Sequence, residues 1–384
     1  MTEESPPLGL PPLGLYVHWP YCARICPYCD FNVALDRRAG EAEALFGAIL
    51  ADLRAQAETS GPHRLISIFL GGGTPSLMRP EWVAELAETA KALWPTAPAL
   101  EITLEANPTD AEAARFEAFA AAGVNRLSLG VQALDDGALG FLGRNHSAAE
   151  AVRAARLAAG AFPRLSLDLI YARPGQTEAG WAEELKAALD LGPEHLSPYQ
   201  LTIEPGTAFD RAVRRKAFTP ADADLAARLY ETTQRVLEAE GFEAYEVSNH
   251  ARGEAARSRH NLVYWRGQDY LGVGPGAHGR LTRAGLRAAT EAARAIPDYL
   301  ARVREIGTGV SLIETLSADE AAEERLLMGL RTVEGVPLAE LSPLPLSKLS
   351  DLEQAGFVRV SGGRLYATSH GRPVLDRVIA ELAG

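Results

Sequence analysis

Cysteine is almost absent from this 384-residue chain, and its three copies, Cys22, Cys26 and Cys29, fall within one eight-residue stretch. A disulfide framework tying distant segments is thereby excluded, and the three read as one site in a reducing compartment. Positive charge is also short, since 38 Lys and Arg face 50 Asp and Glu for a formal charge of −12. Such a field opposes a long stay on nucleic acid or on an anionic membrane surface, so no nucleic-acid partner is expected. No apolar run approaches the roughly 18 residues that cross a bilayer, although a transient contact with a membrane is compatible with that lack. The opening, MTEESPPLGLPPLGL, is acidic and then proline-rich, without a charged segment leading into an apolar core. It leads to the expectation of a cytoplasmic protein.

What is present is an alternation of β-rich and helical patterns. Strands are expected at Leu15–His18, Leu65–Leu70, Leu100–Glu105, Arg126–Gly130, Leu165–Ile170 and His195–Ile203. Helices are expected between them at Glu41–Ala57, Pro80–Leu93, Ala111–Ala122, Ala148–Ala159 and Glu178–Leu189. Six successive βα units imply an α/β fold with a parallel sheet, either curled into a barrel or open and doubly wound. In both, ligands gather at the carboxyl ends of the strands. The polar and glycine-rich pieces His18–Asn32, Gly71–Ser76 and Glu105–Pro108 stand there, as do Gln132, Arg144 and Asp168. One shared mouth is expected.

The alternation stops near Phe242, and the chain divides into 1–241, a Gly- and aromatic-rich extension at 242–290, and a last part at 291–384 that begins with a helical region near Glu291–Glu305. From Ala321 onward the pattern is helix, helix at Leu346–Ala355, hairpin at Phe357–Ala367 turning on Gly362-Gly363, then helix. This is a smaller C-terminal α+β module of winged-helix-like type. Its many acidic side chains favour a packing or partner role over DNA binding.

Cys22-Ala-Arg-Ile-Cys26-Pro-Tyr-Cys29 leaves the first strand with three thiols on one short loop. Three thiolates can hold three corners of an iron-sulfur cube and leave its fourth iron open to another ligand. A structural zinc ion wants a fourth Cys or His, and His18 stands at the wrong spacing. A Cys26-x-x-Cys29 redox pair leaves Cys22 without a role. The cluster is the expected occupant, with zinc and the redox pair as the alternatives. Gly274-Pro-Gly276-Ala-His-Gly279 formally matches a dinucleotide fingerprint but lacks the strand-to-helix context, and the GGGT stretch lacks the Lys-Ser/Thr of a phosphate loop.

C-x3-C-x2-C after a first strand, with Gly71-Gly72-Gly73-Thr74-Pro75 after the second, resembles the radical S-adenosylmethionine superfamily. The likeness runs along nearly the whole chain. LYVHWPYC, IFLGGGTPS, LEANP, NRLSLGVQ, LGRNHS, LDLIYARPGQT, LSPYQLTIEPGT, YEVSNHA, HNLVYW and YLGVGPGAHG follow in the order seen in the HemW group. Those proteins look like oxygen-independent coproporphyrinogen III oxidases and are regarded as heme chaperones. The resemblance implies a partial (β/α)6 barrel of the radical SAM type, with a 4Fe-4S cluster on Cys22, Cys26 and Cys29. It also implies an S-adenosylmethionine pocket made by Tyr16, Tyr28, Gly72, Gly73, Thr74, Glu105, Gln132, Arg144, Asp168 and Thr202. Glycines admit the ligand to the backbone, carboxylates suit its ammonium and ribose hydroxyls, and Arg144 suits its carboxylate.

His260-Asn-Leu-Val-Tyr264-Trp265 is associated with heme in that group. A neutral imidazole is a good axial ligand, and Tyr264 and Trp265 offer flat apolar surface. The same residues also read as a hydrogen-bonded core histidine among aromatics. His250 and His278 are the further candidates. The oxidases carry another cysteine two residues after the third, where this chain has Phe31. The implied function is therefore a heme chaperone that carries heme as cargo to an unidentified acceptor protein. Oxidative decarboxylation of coproporphyrinogen III to protoporphyrinogen IX is the alternative.

Overall fold

Strand β1 (Pro12–Trp19) is buried at nearly every position, the signature of a strand covered on both faces of a parallel sheet. It pairs in parallel with β2 (Arg64–Gly72), placing Tyr16 beside Phe69 and His18 beside Gly71. Strands β3 (Thr96–Ala106), β4 (Arg126–Gln132), β5 (Leu165–Tyr171) and β6 (His195–Gln200) follow in sequence order, each parallel to the one before. The structure, a computed structural model, describes residues 9–35 and 39–384, so the acidic start of the opening lies outside the described residues.

The connecting helices include α1 (Glu41–Ser60), α2 (Pro80–Leu93), α3 (Ala148–Ala161) and α4 (Glu178–Leu189). The expected helix Ala111–Ala122 is two short ones, Asp110–Ala113 and Phe116–Ala121. Around the break, Glu112 accepts from the Asn107 N–H and Arg115 donates to the carbonyls of Ser76 and Met78, which ties this connection to the loop after β2. The arc of six βα units is open, and so forms the partial barrel that was expected.

The stretch after Phe242 belongs to the same sheet. Strand β7 (Asp269–Val273) pairs in parallel with the free side of β1. Strands β8 (His278–Arg283), β9 (Leu286–Ala292) and β10 (Val310–Thr315) then continue the sheet antiparallel. The expected boundary at 290 thus falls inside β9, and the expected helical region near Glu291 starts only with α5 (Ile296–Ile306). Pro297 in its first turn fixes that start. Residues Ala284 and Gly285 both have positive φ (50° and 79°), which suits the tight turn by which β8 and β9 form a hairpin.

The C-terminal module follows the expected order: Ala318–Leu330, Leu349–Gln354, the hairpin Val358–Ser361 with Arg364–Ala367, and Leu375–Ala383. It has its own core, in which Leu326, Val336, Leu341, Leu365 and Leu382 are fully buried. It packs on the short helix Arg259–Trp265, where Arg325 donates to the Trp265 carbonyl at 3.0 Å and Arg331 lies 4.8 Å over the Trp265 ring.

One carboxylate anchors the added strands to the barrel. Asp52 of α1 is fully buried and accepts from Tyr299 Oη (2.7 Å), Thr308 Oγ1 (2.8 Å) and the Gly309 N–H (3.1 Å). Asp52→Ala strands these donors away from water, so urea unfolding should show a loss of about 3 kcal/mol.

Candidate functional site

The cysteine loop is pinned at both ends, because Tyr21–Cys22 pairs with Ala34–Leu35 as a small parallel ladder. It is also stitched to the glycine loop after β2. The Gly73 N–H donates to the Trp19 carbonyl and the Thr74 N–H to the Tyr21 carbonyl, both at 2.8 Å. Gly73 has to be glycine, since a Cβ there would lie 2.6 Å from the Pro20 carbonyl oxygen.

These loops and the carboxyl ends of β3 to β6 enclose a cavity of about 400 Å³. Cys22, Cys26, Cys29 and Tyr28 line it from the first loop, and Gly72, Gly73 and Thr74 from the second. Glu105, Gln132, Arg144, Asp168 and Thr202 line it as well. Gln132 sits at φ 64°, a strained backbone held at the end of β4 where its side chain enters the cavity. Arg144 donates to Cys26 Sγ at 3.5 Å and to the Gly130 carbonyl at 3.0 Å, while its buried Nε has no partner among the described residues. Tyr16 departs from expectation: it lines a second cavity and donates or accepts at His18 Nδ1, 2.9 Å away.

Burial pushes the thiol of Cys29 up to about 11 and raises that of Cys22. Among the described residues no three His, Cys, Asp or Glu side chains converge as a single metal ion requires. The three thiols line one cavity, and a cube could take one thiolate on each of three irons there.

Glu105 accepts from the Gly72 N–H at 3.1 Å. Burial, and then the nearby Asp168, push its carboxyl up to about 7. Burial likewise raises Asp168, which accepts from Ser128 Oγ at 3.0 Å. Arg126, only 2% exposed, lines the same cavity, and its Nε has no partner among the described residues. Sequence reasoning missed Arg126, Ser128 and Gly130, which point inward with Gln132 at every second position of β4, whereas Leu127, Leu129 and Val131 point to the apolar core. That two-residue period in NRLSLGVQ was the available signal.

The second cavity, about 480 Å³, adjoins the first, sharing Phe31, Gly72 and Glu105 with it. Tyr264, Trp265, Tyr270 and Met328 give it an apolar wall, and His278, Arg287 and Arg294 give it cationic or basic groups. His260 lines neither cavity. It is buried with Nδ1 2.9 Å from Ser67 Oγ and Nε2 2.7 Å from Tyr264 Oη, and it stacks 4.9 Å from the Phe69 ring. Burial lowers its pKa to about 3, so it is neutral. His250 is also buried, beyond β6, with Nε2 3.2 Å from Gln234 Oε1, and lines neither cavity. His278 is exposed.

Residues 16–188 match the model of the radical SAM superfamily, and residues 316–374 that of the HemN C-terminal domain. The chain is 40% identical over 395 residues to the radical S-adenosyl methionine domain-containing protein 1, mitochondrial, of Bos taurus, covering 99% of this chain and 89% of that one. It is 35% identical over 396 residues to the heme chaperone HemW of Mycobacterium tuberculosis, with both chains covered in full. Among solved structures, coproporphyrinogen III oxidase (HemN) from Escherichia coli superposes with a TM-score of 0.82 over 97% of this chain and 90% of that one, and its 21% identity makes this a likeness of fold. With the cysteine and glycine loops joined at one cavity and a heme chaperone HemW 35% identical along the whole of both chains, this chain belongs to the HemW group of the radical SAM superfamily.

Proposed function

We propose that the chain binds heme and passes it to an acceptor protein, and that it holds a 4Fe-4S cluster and S-adenosylmethionine while doing so. The carrying observation is the 35% identity along the whole of both chains with a heme chaperone. Phe31, at the position where the oxidases have a further cysteine, supports the same choice. Cys22, Cys26 and Cys29 would hold the cluster, which when bound offers an open iron to a ligand in the first cavity.

The chain's own residues account for the rest of that cavity. Arg144, with a buried nitrogen to spare, suits the carboxylate of S-adenosylmethionine, and the glycine loop with Glu105 suits its ammonium. Gln132, Asp168 and Thr202, with their polar side chains, suit the nucleoside, and Tyr28 and Thr74 line the same cavity. Tyr264 and Trp265 support heme through the second cavity, and His260 acts beneath them as the pillar that holds the Tyr264 hydroxyl. The work is assigned to the cytoplasm, and among the described residues no helix is long and apolar enough to cross a membrane. The acceptor would be a protein rather than a nucleic acid, given the charge of −12.

Two measurements test this reading. Hemin should bind saturably at about one per chain by Soret titration, and incubation with coproporphyrinogen III, dithionite and S-adenosylmethionine should give no protoporphyrinogen IX; turnover to that product would make the chain an oxidase instead. A second test uses Glu105. Its folded pKa of about 7 lies above the ordinary carboxylate range, so the ligand-free chain loses stability as pH rises from about 4.5 to about 7. An ammonium pairs with the ionised form. Calorimetric affinity for S-adenosylmethionine should accordingly rise roughly fivefold between about pH 6 and pH 7, and stay flat in Glu105→Gln.

A further inference from the structure

Resting on the heme-handling reading, we propose that the porphyrin lies in the second cavity with its iron on His278 and a carboxylate on Arg294. His260 is poorly placed for the iron, because Ser67 and Tyr264 occupy both of its ring nitrogens and Phe69 covers its face. His250 lies behind the opposite end of the parallel arc. His278 begins β8, is exposed, lines the second cavity, and its ring makes no hydrogen bond among the described residues. A free imidazole nitrogen is what an axial site requires.

The surroundings suit a flat macrocycle with acidic arms. Tyr264, Trp265, Tyr270 and Phe31 supply aromatic surface, and Phe31 is 63% exposed, a large apolar side chain without cover. Trp265 Nε1 is buried without a hydrogen-bond partner among the described residues. The two arginines differ in availability. Arg287 is committed to Glu324 at 2.9 Å and to the Gly267 carbonyl at 3.1 Å, whereas the side chain of Arg294 is exposed and unpaired among the described residues. Arg294 is therefore the group left to receive a carboxylate. Glu324, the acidic group on that wall, is already neutralised by Arg280 and Arg287 at 2.7 and 2.9 Å. The cavity thus gathers a soft wall, a free nitrogen and a free cation, and these match the face, the metal and the edge of a metalloporphyrin.

The test is hemin titration of the full-length protein, read by the Soret band and by resonance Raman for histidine ligation. His278→Ala should weaken binding at least about tenfold and remove the histidine signature, with added imidazole restoring the spectrum. Arg294→Ala should weaken affinity several-fold and leave the ligation signature in place. Both positions are exposed, so the fold survives either change. Unchanged binding and spectrum in His278→Ala, with loss in His260→Ala, would overturn the placement and leave the heme reading standing. Failure of the unaltered chain to bind hemin saturably would overturn both.

Discussion

Arg126 is buried inside the parallel arc, and its charge acts on Glu101 to one side and on Glu105 and Asp168 to the other. The rest of the site depends on that arrangement. Glu101 is fully buried, and against the cost of that burial Arg126 and Arg164 hold its carboxyl below the usual range. As an anion it accepts the backbone N–H of Arg259 at 3.1 Å and of His260 at 3.0 Å, so it fastens the first turn of the helix that carries Tyr264 and Trp265. At the carboxyl ends of the strands the balance is different. Glu105 and Asp168 share less positive charge than they need, and both are raised. A cation entering this cavity would therefore favour their ionised forms, as the ammonium of the proposed ligand would.

The two cavities are parts of one surface. Gly72 and Glu105 line both, and Phe31 stands between them as the last residue but one of the cysteine loop before Asn32 crosses to the β7–β8 side. Asn32 Nδ2 donates to the carbonyls of Pro275 and Arg294, both at 2.9 Å, which locks the cysteine loop to the wall of the second cavity. The cysteine loop and the wall of the second cavity are thus joined by a short, hydrogen-bonded path.

How much of this was readable beforehand depended on whether the signal was local. The cysteine spacing, the glycine loop and the six βα units are carried by contiguous residues, and they stand in the fold where their patterns put them. The carboxyl-end rule also gathered residues as distant as Tyr28 and Thr202 into one cavity. What escaped was set by tertiary packing. Tyr16 shares its face of the sheet with Phe69 but is held at the second cavity beside His18, and for His260 the choice between heme contact and core histidine rested on Ser67 and Tyr264, which occupy both ring nitrogens. The sheet beyond Phe242 was hidden because β7 pairs with β1, a partner more than 250 residues earlier, and nothing local announces such a pairing.

The central claim is that cluster and porphyrin occupy neighbouring cavities of one chain. It is tested most directly by the fluorescence lifetime of zinc protoporphyrin IX bound to the protein with and without its iron-sulfur cluster. The account predicts a strongly shortened lifetime in the cluster-loaded chain and recovery in Cys26→Ala. A lifetime indifferent to the cluster, at equal porphyrin occupancy, would contradict it.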